Sequence, residues 1–103
     1  MYLVEQYAKF AVDFRQAPMS AEVTHHARRA VIDWYAAVLP GSVLPPATLL
    51  EKALAEELGH GGARLVRGAS ATTRVAALIN GTASHIVEVD DIFREAIYHP
   101  GAP

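Results

Sequence analysis

The sequence predicts an all-α, bundle-like helical domain, on three observations. Apolar residues recur at three- and four-residue intervals in four separate segments. The joints between those segments are short and carry Pro and Gly. No segment shows the strict apolar/polar alternation of a half-buried strand. The chain has 103 residues, enough for one small domain, which can bury about two-thirds of the surface exposed by its unfolded form.

Each helix has its own start and stop signals. In the first, Val4, Tyr7, Ala8, Ala11 and Phe14 share a face up to about Gln16, and Pro18 stops it. The second opens at Ser20, a good N-cap, with Glu22 in the first turn where a carboxylate suits the helix dipole. Its stripe is Val23, Ala27, Ala30, Val31, Trp34 and Val38, and Pro40-Gly41 ends it. Residues 42–46 read as a loop. The third helix is expected over about Ala47 to Leu58, with Leu50, Ala53, Leu54 and Leu58 on one side and Gly59-His60-Gly61-Gly62 as its stop. Arg64 to Gly68 reads as a short extended stretch, too isolated to imply a sheet. The fourth helix is expected from Ser70 as N-cap, with Val75, Leu78, Ile79, Thr82, Ala83 and Ile86 as its buried stripe. Asn80-Gly81 interrupts it, and Gly costs about 1 kcal/mol relative to Ala in a helix interior. Close helix packing or close approach to a substrate would each account for it. The final residues, His99-Pro100-Gly101-Ala102-Pro103, read as a loop about to open another helix, with Pro103 near its first position. The fold is expected to continue beyond them.

Composition narrows the partners. Hydrophobic residues make up 51% and charged residues 19%, below the roughly 25% charged of ordinary soluble domains. Some apolar surface is therefore expected to face a partner or another part of the same protein. The net charge is −2 and the nine Lys and Arg are scattered, so no basic stripe points to nucleic acid. The absence of Cys excludes disulfides and thiolate metal sites. No signal peptide is visible after Met1, and no run approaches the ~18 apolar residues of a membrane span. No membrane association is expected, and the cytoplasm is the expected location.

Reactive groups concentrate in one place. From His85 to His99 the chain reads HIVEVDDIFREAIYH, with two His, two Asp, two Glu and an Arg. If the helix persists, His85, Glu88 and Asp91 share a face. Four carboxylates within eight residues repel one another unless a cation sits among them. Three readings compete: a solvated acidic helix end; a metal site built from His85, Glu88, Asp91 and His99, which matches no known ligand spacing; and acid/base catalysis on a carboxylate-bearing substrate, with His99 moving the proton and an Asp orienting it. Elsewhere, Trp34 and Tyr35 read as core or interface aromatics, His25 and His26 as exposed, and Arg64 and Arg67 as surface residues. Gly59 to Gly62 lacks the Lys of a phosphate loop.

The pattern as a whole favours the third reading. The run Ala77-Leu78-Ile79-Asn80-Gly81-Thr82-Ala83-Ser84-His85, then Val89-Asp90-Asp91, then His99-Pro100-Gly101, resembles the MmgE/PrpD family. That family includes 2-methylcitrate dehydratases, cis-aconitate decarboxylases and an iminodisuccinate epimerase. Its members show an NGTxxH helix, a D-[FY]-D-D-T turn and then HPG or HPS, and Asp33 also sits where they carry an Asp. The resemblance covers nearly the whole chain and is specific from about Ala76 to Pro103. It implies that residues 1–103 are a partial N-terminal helical domain, part of the family's large helical domain, with the smaller α+β lid domain absent. It further implies a homodimer and a lyase or isomerase that needs no cofactor or metal and acts on small di- or tricarboxylates. By the same resemblance His99 lines the active site, Asp90 and Asp91 match the last two acids of the turn, and Asn80 and His85 support the turn or the substrate. The general base is a Lys or His from later in the chain, so the segment alone is expected to be inactive. Two positions depart from the family. Glu88 replaces the first Asp of the turn, and Ile92 replaces a Thr whose hydroxyl can bond a substrate, which puts the particular substrate in doubt. The alternative is a stand-alone helical interaction module, or a decayed remnant, without catalysis.

Overall fold

A computed structural model describes residues 2–101 of the chain. The expected helices α1 (Leu3–Phe14), α2 (Ala21–Gly41), α3 (Ala47–Ala53) and α4 (Thr73–His85) are present. The fold is mainly helical but not all-α, because a small antiparallel sheet of β1 (Leu58–Arg64) and β2 (Ser70–Ala71) lies between α3 and α4. Ser20 caps α2 as expected, its Oγ accepting from the Val23 N–H at 3.2 Å. Pro40 falls in the last turn of α2, and the helix ends at Gly41.

The sheet overturns four expectations. The third helix stops at Ala53, not Leu58; a 3₁₀ turn, Ala55–Glu57, follows, and Leu58 opens β1. The Gly59–Gly62 stretch is therefore strand rather than a helix stop. Ser70 lies in β2, and the N-cap of α4 is Thr72, whose Oγ1 accepts from the Val75 N–H at 3.4 Å. Arg64 to Gly68 is mostly a tight turn: the Leu65 N–H donates to Ala69 O at 2.9 Å and the Gly68 N–H to Leu65 O at 2.8 Å. The physical reason is a bulge that glycine permits. Leu58 and Ala63 both face Ala71 across the ladder, so the intervening residues loop out of register. Gly61 has φ +86°, and a Cβ there would overlap the Ala71 carbonyl and Thr72 Cα. Only glycine accepts both conditions.

Helix α4 is the central element, packed against α2, α3 and both strands. One face joins Leu65, Ala71, Val75, Ala76 and Ile79 in a cluster with Leu50, Leu54, Leu58 and Ala63. Another joins Val38, Ala47 and Ala83 with Trp34, Val66 and Ile86. Leu78, expected in the buried stripe, is exposed, because it points away from both clusters. Glu57 and Arg74 tie the 3₁₀ turn to α4 through a two-pronged ion pair at 2.9 and 2.7 Å, exposed enough to contribute about 1 kcal/mol or less.

The other end of the molecule is different. α1 buries none of its residues, and Val23 and Val31 of the α2 stripe are exposed. The apolar surface expected from the low charge fraction lies there. No helix among the described residues is long and apolar enough to cross a membrane.

Candidate active site

The reactive segment begins where α4 ends. The helix stops at His85, with Ile86 as C-cap, and the Glu88 N–H donates back to His85 O at 3.1 Å. Glu88 itself adopts φ +50°, a left-handed conformation uncommon outside glycine. That residue reverses the chain. His85, Glu88 and Asp91 therefore do not share a helix face, as they would had α4 continued. The residue delivered beneath His85 is Asp90.

A second reversal brings in His99. Phe93 and Tyr98 form an isolated antiparallel bridge, with the Phe93 N–H donating to Tyr98 O at 2.8 Å and the rings 5.7 Å apart. Ile97, at φ +51°, lies inside this small hairpin. Its closure sets His99 beside the start of the segment, and the Gly101 N–H donates to Asp91 Oδ1 at 2.9 Å. Asp91 thus holds the His99-Pro100-Gly101 stretch in place from outside, while Asp90 faces inward. The position expected for Pro103 lies outside the described residues.

The result is a carboxylate between two imidazoles. Only 3% of the Asp90 side chain is exposed. His85 Nδ1 hydrogen-bonds its Oδ1 and Oδ2 at 3.2 and 3.1 Å. His99 Nδ1 lies 3.0 Å from Oδ2 yet is buried without a hydrogen-bond partner among the described residues. The two imidazoles are 4.4 Å apart at 57°. Among the described residues no Lys or Arg pairs with Asp90. A buried carboxylate is costly without polar or charged partners; His85 hydrogen-bonds it and His99 lies beside it.

The other residues expected in the site lie around this group. Glu88 is exposed and lines a groove of about 510 Å³ with Pro46, Gly81, Thr82, His85 and Ile86. Asp33 lines another with His26, Arg29 and Asp91. Ile92 is half exposed. Asn80 uses its amide elsewhere: Oδ1 accepts from the Val66 N–H at 2.9 Å and Nδ2 donates to Arg64 O at 3.0 Å. It fastens the sheet turn to α4, and it also lines a groove of about 460 Å³ that reaches Trp34 and Gly101. Asn80→Ala is expected to cost about 1–3 kcal/mol, since it leaves the partly buried Val66 N–H unpaired. Thermal unfolding followed by circular dichroism checks this, and a loss below about 0.5 kcal/mol would show that the turn holds without the clamp.

The fold and the cluster define a helical scaffold carrying a His–Asp–His group on the reversal after its central helix. The chain matches the MmgE/PrpD N-terminal domain over residues 5–103, and it belongs to the MmgE/PrpD family. Comparisons with curated proteins and with solved structures gave no match.

Proposed function

We propose that this chain is the N-terminal part of a larger helical enzyme, a 2-methylcitrate dehydratase-like lyase or isomerase. It would move a proton at a carbon next to a carboxylate in a small di- or tricarboxylate. The observation that carries this reading is the setting of His99. Its Nδ1 edge is buried against Asp90, while 30% of the side chain remains exposed. A ring buried on one edge and open on the other suits proton transfer or an anion contact. Asp90 lies 3.0 Å from the buried edge of the ring, Asp91 holds the stretch that carries it, and Glu88 stands at the rim where the family has Asp. The general base, the lid and the second subunit of a homodimer would come from outside residues 1–103. Without them the segment lacks transition-state complementarity and is expected to be inactive.

The test begins with the coding sequence beyond Pro103. An open frame supplying further helices with candidate Lys and His residues fits the proposal. The longer protein is then assayed on a panel of small di- and tricarboxylates in D₂O, with deuterium entering the carbon beside a carboxylate as the readout. No exchange with any of them counts against the reading.

The exposure of α1 favours a second reading, a helical module that binds a partner without catalysis. Size-exclusion and circular dichroism on the 103-residue chain separate the two. A monodisperse chain with cooperative unfolding supports the module, and an aggregating or molten one supports the enzyme segment.

A further inference from the structure

Two apolar faces of this chain lie open and do not meet. The first is on α1, where Leu3, Tyr7, Phe10 and Phe14 recur at intervals of four, three and four residues. That is the spacing of a seam between packed helices. Every residue of α1 is exposed all the same, and the helix packs along no other element of the described chain. The second face is on α2, across the helix from its buried residues Ala37, Val38 and Gly41. There Ile32, Tyr35 and Leu39 are exposed, and Met19, Thr24, Ala27, Arg28, Val31 and Ile32 line a groove of about 410 Å³. Residues 15–20 keep the two faces apart: Pro18 cannot continue α1, and Ser20 is extended at φ −66° and ψ 159°.

We propose that these faces meet between two copies of the chain, each laying its α1 along the outer face of the other's α2. A two-fold contact sets the same surfaces of both copies against each other, so one exchange covers both faces at once. A segment from elsewhere in the chain that covered the α2 groove would leave α1 bare. The lengths agree, since the 12 residues of α1 span about 18 Å and Thr24 to Tyr35 spans about 17 Å of α2. So do the charges. Arg28 lines the groove and forms no ion pair among the described residues, while Asp13 flanks Phe10 and Phe14 on the incoming helix. A membrane surface suits α1 less well, because its polar side carries Glu5 and Asp13 against Lys9 alone, and anionic lipid selects for Lys and Arg. Tyr7, Phe10, Phe14 and Tyr35, about half exposed, offer roughly 400 Å² per copy, about half of one side of a standard interface. Leu3, Val4, Val31, Ile32 and Leu39 add to it. A homodimer belongs to the activity proposed above, but the surfaces that form it do not, and the exchange stands equally for a chain without catalysis.

The experiment uses the whole protein that the gene encodes, so it does not require residues 1–103 to fold alone. Phe10 is replaced by photo-reactive p-benzoylphenylalanine and the sample is irradiated. The products are separated by denaturing electrophoresis and mapped by peptide mass spectrometry. The expected product has twice the mass of one chain and joins position 10 to a peptide within residues 19–39. Phe10→Asp should weaken the dimer by about a hundredfold in equilibrium sedimentation, as for an aromatic anchor at an interface. Helical circular dichroism should be retained, because α1 lies outside both core clusters. Arg28→Asp should weaken the dimer too, and Asp13→Arg in the same chain should restore part of the loss. The photo-product decides the matter if any of these variants fails to fold. A product of single-chain mass joining position 10 to α2 overturns the proposal, since α1 then folds back on its own chain. A link to any segment outside residues 19–39 gives α1 another partner and overturns it, as does the absence of a covalent dimer. A protein that sediments as a monomer, or a dimer that Phe10→Asp leaves intact, also overturns it. None of these outcomes bears on the deuterium-exchange test of the activity, which succeeds or fails on its own.

Discussion

Gly41→Ala is expected to destabilise the chain by about 3 kcal/mol, a large part of the margin of a small domain. Gly41 is buried at the end of α2, where that helix meets α4. A Cβ placed on it would overlap the carbonyl oxygen of Ala83. The obstacle is backbone, so no rotamer change relieves it. Either α2 lifts away from α4 or α4 bends. Both open the cluster of Val38, Ala47 and Ala83, residues that are at most 1% exposed. Urea unfolding followed by helical circular dichroism measures the loss, with Gly62→Ala as the control, because a Cβ there meets nothing within 4 Å. If Gly41→Ala costs no more than the control, α2 and α4 do not touch through Gly41 in solution.

That glycine shows where sequence reasoning stops. Pro40-Gly41 is legible as a helix end, and α2 does end there. Its second role, letting two helices touch, depends on a residue 42 positions later and leaves no local mark. The sheet was hidden for a related reason. Leu58-Gly59-His60-Gly61-Gly62-Ala63-Arg64 has none of the β-branched alternation of a strand. It pairs with Ser70–Ala71 only through a glycine-permitted bulge. By contrast, α1, α2 and the body of α4 follow from apolar spacing, since a helix is specified by residues three and four apart. In the candidate site, motif resemblance pointed to the segment but not to which of its atoms meet. His85 and Asp90 are five apart, a spacing without meaning on a helix, and only the left-handed turn at Glu88 brings them together. His99 arrives through a hairpin closed by Phe93 and Tyr98, a contact that no pattern in the chain announces.

The second large effect is expected at that histidine. In the longer enzyme proposed above, His99→Ala should lower turnover by about 10²–10⁴-fold, the usual contribution of a positioned acid or base. The stability of the fold should change little by comparison, because His99 lies on the terminal reversal and outside both core clusters. Asp90→Asn separates two roles of the carboxylate. It keeps the shape but removes the charge, and an amide cannot accept from the His85 N–H through both of its heavy atoms. If Asp90 only fills space, turnover survives the change. If it fixes and polarises His99, turnover falls while KM stays near its starting value, as when an interaction matters mainly in the transition state. Asp91→Ala gives a graded comparison, since it removes only the Gly101 N–H contact that holds the histidine stretch. Its effect should be smaller than that of either inward-facing residue. A His99→Ala enzyme with undiminished turnover would move the chemistry elsewhere in the protein and leave this cluster as structure. A loss in the expected range, with folding intact, would assign the exposed edge of this ring to the reacting substrate.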